Sequence, residues 1–502
     1  MPVINILAPF GGQNNRDGNY SLKPIYSASL YNFVPGPGFL DARGPVRPYS
    51  TNDVLPDDIQ AIWPNANGSG IFATPTSIYA VATVIGAPLA TGFASGLWHG
   101  NLWQNRTILC NGVDTPQIYD GATVVPIVAA GPTLTNLFGS TTFKGRVFYW
   151  ENNARVFWYA AAGAFQGALT SFDLSTFTRS DGYLVSIAPL TIDGGAGPDD
   201  ILAFLFSNGE VLVYQGDDPG SATAWQQVGR FMIGSMLGRD CWAIVGSATL
   251  VATSIGVVDL ARALSSGAVD DSAVVGQNFG ASNMSNNTSS LVTASHRKLL
   301  FDQKNRILWL ALYDPSTVAT VGVAIIYGMD VETRGWFTLQ GVAWENLLPN
   351  VSDLSLSTLK RTTSLGIVGN QVLYGADSKL LKGPDRSSKL GQDDYFAGID
   401  NPIFYSSFHP ALDFGDQITN KLVTAIDVFY ENISDVPVGI MEVNVRLRGW
   451  KDVIVSEIPV SFGEFNSIAA FGRTISFRAD FRAKSGVRWY STRFMLQAGN
   501  NL

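Results

Sequence analysis

One hairpin pattern constrains this chain more than any other feature. The segment FLFSNGEVLVYQG begins at Phe204 and turns at Asn208-Gly209, and an Asn-Gly pair between apolar runs predicts a tight β-hairpin. Its strands are apolar on both faces, since Phe204 and Phe206 fall on one side and Leu205 on the other. A strand that is apolar on both faces has to be covered on both faces, so we expect this hairpin to pack between two neighbouring sheets.

Similar segments recur along the chain. They are FYWENNARVFWYA from Phe148, LVATSIGVVDLA from Leu250 and LFDQKNRILWLAL from Leu300, with weaker members from Gln117 and Gln371. The starts at 148, 204, 250 and 300 are 56, 46 and 50 residues apart. A period of about 40–50 residues with several short strands in each repeat is typical of β-propeller blades. We therefore predict an all-β fold with a β-propeller over residues 56–395.

The two ends of the chain have a different texture. Residues 1–55 are rich in glycine, proline, asparagine and aromatic residues without a helical or strand period, which predicts an extended N-terminal arm. After residue 396 longer alternating segments appear, among them MEVNVRLRGW from Met441 and TISFRADFRA from Thr474. We expect residues 396–502 to form an additional C-terminal antiparallel β domain. Residues 441–502 hold nine lysines and arginines against five acids. This excess predicts a solvent-exposed arginine face or, alternatively, a surface for an acidic partner or a charge gradient along an assembly axis.

No spacing in the sequence nominates an active site. The three histidines, His99, His296 and His409, lie in unrelated contexts, and no H-x-x-x-H, C-x-x-C, G-x-S-x-G or phosphate-loop pattern is present. Cys110 and Cys241 lie in apolar contexts and are expected to be buried free thiols. We therefore expect no enzyme, and no catalytic residue, cofactor or metal.

Charge and hydropathy narrow the class of protein further. Charged residues make up 15% of the chain and hydrophobic residues 46%, which suits a subunit whose flanks are covered by neighbours or, alternatively, a secreted β protein. The net charge of −8 gives no basic footprint for nucleic acid. The most apolar run, residues 77–98, is interrupted by three glycines and a proline. We therefore expect no membrane-spanning segment, and the first residues predict no signal peptide.

Acidic doublets recur in the turn-rich segments, at 57–58, 199–200, 217–218, 270–271 and 393–394. We interpret them as solvated turn residues, with a glycosidase carboxylate pair or a loose cation site as the alternatives. The run YGMDVETRGWFTL from Tyr327 is faintly similar to the Asp-box of sialidase propellers but lacks its residue order. It predicts a strand-turn-strand with Trp336 packed between blades.

The opening residues carry a family resemblance. The segment FGGQNNRDGNYSLKPIYSASLYNFVPGPGFLDARGPVRPY combines a Phe-Gly-Gly-x-Asn-x-Arg-Asp block at 10–17 with Leu22–Pro24, Leu30–Asn32, Pro35–Gly38 and Arg47–Tyr49. This pattern resembles the N-terminus of tail nozzle or hub proteins of short-tailed, podovirus-like bacteriophages. ILCNGVDTPQIYDGATV from Ile108 and FKGRVFYWENNARVFWYA from Phe143 are similar to the first two blades of the same proteins.

The resemblance implies a structural protein of the virion tail, assembled in the bacterial host cytoplasm. It implies a homohexameric ring that extends the DNA channel below the portal and adaptor and serves genome retention and ejection. Its partners would be tail adaptor or other portal-proximal proteins, tail fibres or spikes, and a needle or plug. Viral DNA would pass without specific binding, because a lumen of like charge makes no tight phosphate contacts.

Two groups of candidate residues follow from this resemblance. An assembly arm is expected to lie across the propeller or to reach a neighbouring subunit, with the candidates Phe10, Asn14, Arg16, Asp17, Tyr31 and Phe33. Channel or partner loops are expected at 193–201, 215–223 and 276–290, with the candidates Asp199, Asp200, Asp217, Asp218, Asn278 and Asn283.

Two other classes of function compete with the tail nozzle. One is a phage-borne glycan-binding or sialidase-like β-propeller, which the lack of Asp-box repeats disfavours. The other is a tail-fibre or adhesin-like protein, which the lack of short-repeat low complexity disfavours.

Overall fold

The computed structural model describes most of the residues of the chain. These are residues 3–14, 16–17, 21–43, 47–51, 55–193, 198–266, 273–276, 296–313, 325–339, 362–376, 379–383, 392–393, 401–408, 421–432, 442–448, 454–459, 465–472, 476–483 and 487–498. The fold is nearly all-β, with 57% strand and 3% helix, and is divided into many small sheets. The prediction of an all-β fold is confirmed.

The described residues between 3 and 48 include five short strands. They are β1 (Val3–Leu7), β2 (Ser29–Tyr31), β3 (Phe33–Gly36), β4 (Phe39–Ala42) and β5 (Arg47–Pro48). β3 and β4 form a hairpin, whereas β1, β2, β4 and β5 pair with strands that come hundreds of residues later.

Seven four-stranded antiparallel units, named sheets 1 to 7, follow along the described part of the chain. Six of them are separate sheets, and sheet 6 is part of a larger ten-stranded sheet. Sheet 1 contains β6 (Ala61–Pro64), β7 (Gly70–Ala73), β8 (Ser77–Ala80) and β9 (Ala90–Thr91). Sheet 2 contains β10 (His99–Trp103), β11 (Arg106–Cys110), β12 (Gln117–Tyr119) and β13 (Val124–Pro126). After β14 (Ala129–Ala130) and a 3-10 turn (Leu134–Asn136), sheet 3 contains β15 (Leu137–Phe143), β16 (Arg146–Glu151), β17 (Val156–Tyr159) and β19 (Thr170–Asp173). Between the last two, β18 (Gly167–Ala168) pairs in parallel with β14.

The remaining four sheets have the same plan. Sheet 4 contains β20 (Leu184–Asp193), β21 (Pro198–Phe206), β22 (Glu210–Gly216) and β23 (Trp225–Met232). Sheet 5 contains β24 (Trp242–Val245), β25 (Ala248–Thr253), β26 (Gly256–Asp259) and, after the helix α1 (Leu260–Ser266), β27 (Val274–Val275). Sheet 6 contains β28 (His296–Asp302), β29 (Ile307–Tyr313), β30 (Ile325–Asp330) and β31 (Trp336–Leu339). Sheet 7 contains β32 (Thr362–Val368), β33 (Gln371–Ala376) and β34 (Lys379–Lys382), with β5 as its fourth strand.

The hairpins predicted from turn chemistry are confirmed. Asn208-Gly209 joins β21 to β22, and Gly209 has a φ of +87°, a left-handed conformation that favours glycine. Asn153, with a φ of +54°, lies in the turn between β16 and β17, where asparagine tolerates the same conformation. The segments that begin at Gln117, Leu250, Leu300 and Gln371 also form antiparallel pairs.

Sheet 4 is covered on both faces, as its apolar pattern predicts. Phe204 and Leu212 pack with Phe157 of sheet 3. Leu205 and Val213 pack into a second cluster that sheet 4 shares with sheets 5 and 6. These five side chains are fully buried, and burying a side chain of this size contributes about 1.5–3 kcal/mol.

Each sheet packs on the next one in the chain, and sheet 7 packs on sheet 1. Ile62 of sheet 1 and Leu373 of sheet 7 belong to one buried cluster. The backbones of these two sheets approach so closely that a Cβ on Gly366 would lie 2.6 Å from Ile62. Because β5 precedes sheet 1 and pairs with β34, the start of the chain is also joined to the last sheet by a strand ladder.

The C-terminal residues form longer strands. They are β35 (Gln392–Asp393), β36 (Asn401–Phe408), β37 (Lys421–Asn432), β38 (Glu442–Arg448), β39 (Ile454–Pro459), β40 (Asn466–Gly472), β41 (Ser476–Ala483) and β42 (Val487–Ala498). β41 lies between β36 and β38, and β42 pairs with β37 on one side and with β1 and β4 on the other. We call the strands β36–β42 the C-terminal unit. The boundaries at residues 55 and 395 stay predictions.

The exposed face predicted for the C-terminal arginines is wrong at Arg478. This side chain is only 8% exposed, while Phe477 and Ala479, on the opposite face of β41, are fully buried. Burial raises the pKa of Tyr31 against an opposing effect of the Arg478 charge, which places this residue of the arm close to the arginine. The arm therefore helps to cover a face that the sequence pattern alone assigns to solvent.

Candidate functional site

The candidates in the arm fall into buried and exposed groups. Phe33 is fully buried, with its ring centroid 5.9 Å from that of Trp489. Asn14 is also fully buried, and its Oδ1 accepts hydrogen bonds of 3.1 and 3.2 Å from the backbone N–H groups of Arg16 and Asp17. Asn14 therefore closes a turn that presents Arg16 and Asp17, both exposed, to solvent.

The two remaining arm candidates are half-buried. Tyr31 lies in β2, between sheet 6 and the C-terminal unit, and Phe10 lies in the turn that follows β1. The buried and half-buried candidates hold the arm on its own chain. Of this set, only Arg16 and Asp17 are exposed.

The loop expected over residues 193–201 is shorter than predicted. β20 continues to Asp193 and β21 begins at Pro198, so Asp199 and Asp200 lie in a strand and not in a loop. The two adjacent acids interrupt the alternation of polar and apolar residues in the sequence. The strand nevertheless continues, because Asp199 pairs with Ile192 and Asp200 with Thr191 across the β20–β21 ladder. Asp200 is exposed, and its Oδ1 accepts a 2.8 Å hydrogen bond from Thr191 Oγ1.

The second acidic loop is a turn, as predicted. Asp217 is exposed, whereas Asp218 accepts a hydrogen bond from the Gly220 N–H at 3.2 Å and lies 3.3 Å from the guanidinium of Arg146. Asp218 is therefore partly neutralised by a residue of sheet 3. Asn278 and Asn283 lie outside the described residues.

A buried group of charged side chains, which the sequence patterns do not nominate, lies where the first strands of the sheets converge. We call His99, Arg239, Asp240 and Lys298 the central charge cluster. All four residues are nearly inaccessible to solvent. They come from sheet 2, from the segment just before sheet 5, and from sheet 6.

His99 bridges two sheets through both ring nitrogens. Its Nδ1 is hydrogen-bonded to the Asp240 carboxylate, and its Nε2 lies 2.7 Å from the Ser140 carbonyl oxygen of sheet 3. A carboxylate and a carbonyl oxygen can only accept hydrogen bonds, so the His99 ring is the donor in these contacts.

Arg239 and Lys298 extend the central charge cluster to further sheets. Arg239 donates hydrogen bonds to the carbonyl oxygens of Phe138, at 2.7 Å, and Leu97, and its backbone carbonyl accepts one of 2.9 Å from Ser186 Oγ. Lys298 donates a 3.0 Å hydrogen bond to the Ile62 carbonyl of sheet 1. Its ammonium also lies 3.4 Å from the centre of the Trp63 ring, a favourable cation–π position.

The charges of the cluster shift one another's ionisation. Burial would raise the pKa of Asp240, but the charge and hydrogen bond of His99, with the charges of Arg239 and Lys298, outweigh it and lower the pKa to about 2. Burial lowers the pKa of Lys298 to about 8 against the attraction of Asp240. The carboxylate is therefore held as an anion among cations, which is how a buried charge becomes tolerable.

The two cysteines flank this cluster. Cys110 pairs with His99 across the β10–β11 ladder, and Cys241 follows Asp240 in the chain. Both are buried free thiols, as expected, and burial raises the pKa of Cys110 to about 12. A thiol whose pKa is raised in this way is a poor nucleophile.

The sequence held only a weak signal for the cluster. Charged residues stand next to apolar strands in GRDCWAIVG (Arg239, Asp240) and HRKLLF (Lys298), and such residues are seldom fully buried unless they are paired. Pattern analysis could have flagged each of them as a buried polar residue. It could not have shown that they meet.

The described part of the chain contains no group of three or more His, Cys, Asp or Glu side chains placed to hold a metal ion. Nor does it contain a helix that is long and apolar enough to cross a bilayer.

Comparisons with known proteins give no family. No protein-family model and no curated protein matches the chain. Among solved structures, the chain is similar to YCF48 from Cyanidioschyzon merolae, with 10% identity, a TM-score of 0.38 and coverage of 68% of this chain and 98% of that one. The Cps50 (Swd1) β-propeller domain of Myceliophteria thermophila has 10% identity, a TM-score of 0.42 and coverage of 67% and 98%.

A third similarity is to the extracellular domain of a putative hybrid two-component system from B. thetaiotaomicron, with 12% identity and a TM-score of 0.45. It covers 90% of this chain and 58% of that one. At these identities and TM-scores, none of the three carries an argument about function.

Proposed function

We propose that sheets 1–7 are the blades of a closed seven-bladed β-propeller, and that the protein is a tail nozzle or hub subunit of a podovirus-like phage. Support for ring closure comes from the packing of sheet 7 on sheet 1 and from β5, which supplies the outer strand of the last sheet. A propeller leaves only short, protected edges when its last blade is completed in this way.

The observation that carries the functional proposal is that the FGGQNNRD motif at residues 10–17 packs against sheet 6. The Gly-Gly of FGGQNNRD lies against sheet 6, and a Cβ on Gly12 would lie 2.6 Å from the Trp336 backbone nitrogen. Residues that carry the phage-tail resemblance are therefore built into the body of the fold, as expected of a structural subunit whose arm holds its parts together.

Electrostatics support a conduit over a binding protein. The chain carries a net charge of −8, and a ring of six copies carries six times that charge. A phosphate polymer meets like charge in such a ring and passes without the counterion release that drives tight DNA binding. The channel, the partners and the location in the virion follow from this proposal.

The alternative of a glycan-binding or sialidase-like propeller gains no support from the central charge cluster. The cluster's side chains are buried and bonded to one another and to backbone carbonyls. A sugar-binding site at the propeller axis would need some of these groups to face a cavity.

Oligomer size and shape test the proposed function. We expect light scattering to give a mass near six subunits, and negative-stain images to show sixfold rings, for the protein alone or with the tail adaptor as template. In gel-shift assays at physiological salt, the protein should not retard the migration of double-stranded DNA. A monomer under both conditions that binds sugars on a glycan array would contradict the proposal, and so would salt-dependent DNA binding.

A further inference from the structure

In the described part of the chain, the arm supplies the strand pairing between the seven sheets and the C-terminal unit. Among the described residues, no strand of the C-terminal unit pairs with a strand of sheets 1–7 other than through residues 3–48. β2 lies parallel to β31 of sheet 6 and antiparallel to β36 of the C-terminal unit. Three residues, Ser29–Tyr31, thus turn two sheets into one.

The hydrogen bonds on the two sides of β2 come from different parts of the chain. On one side the Asn32 N–H donates to the Thr338 carbonyl at 2.9 Å. On the other, the Ala28 N–H donates to the Phe408 carbonyl, also at 2.9 Å. Ser27 adds a buried contact of 2.9 Å between its Oγ and that of Ser407, 380 residues away.

Before β2, the arm passes sheet 6 at a point where only glycine fits. Gly12 has a φ of +83°, and a Cβ there would lie 2.6 Å from the Trp336 nitrogen and 2.7 Å from Gly335 Cα. The next residue, Gln13, donates its N–H to the Trp336 carbonyl at 2.7 Å and accepts at Oε1 a 3.0 Å hydrogen bond from Thr338 Oγ1. Sheet 6 therefore binds the arm through backbone hydrogen bonds, and the close contact at Gly12 leaves no room for a larger residue.

Beyond β2 the arm is fixed to the C-terminal unit. Phe33 and Leu40 are fully buried in a cluster that also holds Trp309 of sheet 6 and Trp489 of β42. Asp41 accepts hydrogen bonds of 2.6 and 3.2 Å from the guanidinium of Arg488. These contacts place the arm's apolar residues between the two bodies.

We propose that β31 and β36 are the walls of a strand-binding slot, and that the arm is a separable strap that fills it and holds the C-terminal unit on sheet 6. The slot takes an extended peptide, paired on both edges, with glycine at the position of Gly12 and a small hydroxyl residue at that of Ser27. An unfilled slot would leave two unpaired strand edges, which is costly for an edge that does not face water. Because the arm pairs with β36 and also, through β1 and β4, with β42, it can complete its contacts only after the chain has been made through residue 498. This inference does not depend on the proposed ring.

Cutting the connector of the folded chain tests whether the strap is separable and specifically bound. A tobacco etch virus protease site inserted between Pro56 and Asp57, both exposed, allows fragment 1–56 to be severed from the folded full-length protein. We expect the fragment to co-elute with the rest of the chain on gel filtration and to leave only in denaturant. Fragment loss in native buffer would overturn the proposal, and it would do so whether or not the uncut protein forms rings.

A matched pair of glycines tests the slot itself. Gly12 and Gly38 have nearly the same φ, +83° and +84°, but a Cβ on Gly38 meets nothing within 4 Å. In urea just below the unfolding transition of the rest of the chain, we expect Gly12→Ala to release the severed fragment at least tenfold faster than Gly38→Ala. On release, hydrogen exchange should accelerate at Ser406–Phe408 and stay unchanged in β22 of sheet 4. Equal release from both variants, or unchanged exchange in β36 after release, would refute the slot.

Discussion

Asp240→Asn removes the carboxylate that faces His99, Arg239 and Lys298 while keeping its size. In the folded protein the pKa of Asp240 is about 2, against 3.8 for the unperturbed side chain, and a difference of one pKa unit corresponds to about 1.4 kcal/mol. The charge of Asp240 therefore stabilises the fold by about 2 kcal/mol at neutral pH. Since asparagine also leaves buried cations without their anion, we expect a total loss of about 3 kcal/mol.

Equilibrium unfolding in urea, followed by tryptophan fluorescence, measures this loss. The matched control is Asp120→Asn, because Asp120 is an exposed turn residue whose Oδ1 accepts hydrogen bonds from the Ala122 and Thr123 N–H groups. Asparagine keeps the two bonds at Oδ1, and its Nδ2 can donate to Thr123 Oγ1, which in the wild type donates to Asp120 Oδ2 at 3.0 Å. We therefore expect the control to unfold at nearly the wild-type urea concentration.

The pH dependence identifies the charge as the cause. Because the folded pKa of Asp240 lies below the unfolded one, its contribution is complete above about pH 4 and is lost as the pH falls toward 2. Asparagine mimics the protonated acid, so the gap between wild type and Asp240→Asn should shrink by about 1 kcal/mol between pH 7 and pH 3. If Asp240→Asn matched Asp120→Asn at pH 7, or if the gap did not change with pH, the account of the central charge cluster would be refuted.

Two further predictions concern single residues. Burial lowers the pKa of Lys298 from 10.5 to about 8, so its charge destabilises the folded state at neutral pH, and this loss disappears as the pH rises from about 8 to 10.5. Urea unfolding at pH 7 and pH 10.5 should show the wild type gaining about 3 kcal/mol relative to Lys298→Met. A difference that does not change with pH would contradict this. We expect Gly209→Ala to lower the melting temperature more than Gly68→Ala does. Both glycines have similar φ values, +87° and +80°, but a Cβ on Gly209 would lie 2.0 Å from the Ile233 carbonyl oxygen, whereas one on Gly68 meets nothing within 4 Å. Equal melting temperatures would show that steric contact at the turn is irrelevant.

The hairpin repeat was the most predictable part of the fold. Turn formation at Asn208-Gly209 and burial of Phe204 and Leu205 on opposite faces depend on residues within a few positions of one another. Such local interactions can be predicted from short residue patterns in the sequence. The same kind of pattern was wrong at Arg478, whose alternation predicted exposure, because the arm covers β41 from a distant part of the chain.

The candidate site was less predictable than the fold. The sequence nominated Asn14 and Phe33 through their place in a motif, and the structure shows both to be buried and to hold the arm in place. It nominated Asp199 and Asp200 as loop residues because acidic doublets are typical of turns, but cross-strand pairing extends the ladder through them. It did not nominate His99, since one histidine among apolar residues has no spacing to interpret.

By itself, then, the sequence determined the strand period, the positions of the tight turns and the need to cover each sheet twice. Each of these follows from forces between near neighbours. Only the tertiary structure decided that His99 meets Asp240, 141 positions away, and that Ser27 meets Ser407. Contacts of this kind exist only once the chain has closed on itself, because charges and strand edges find partners by their place in space and not by their order in the chain.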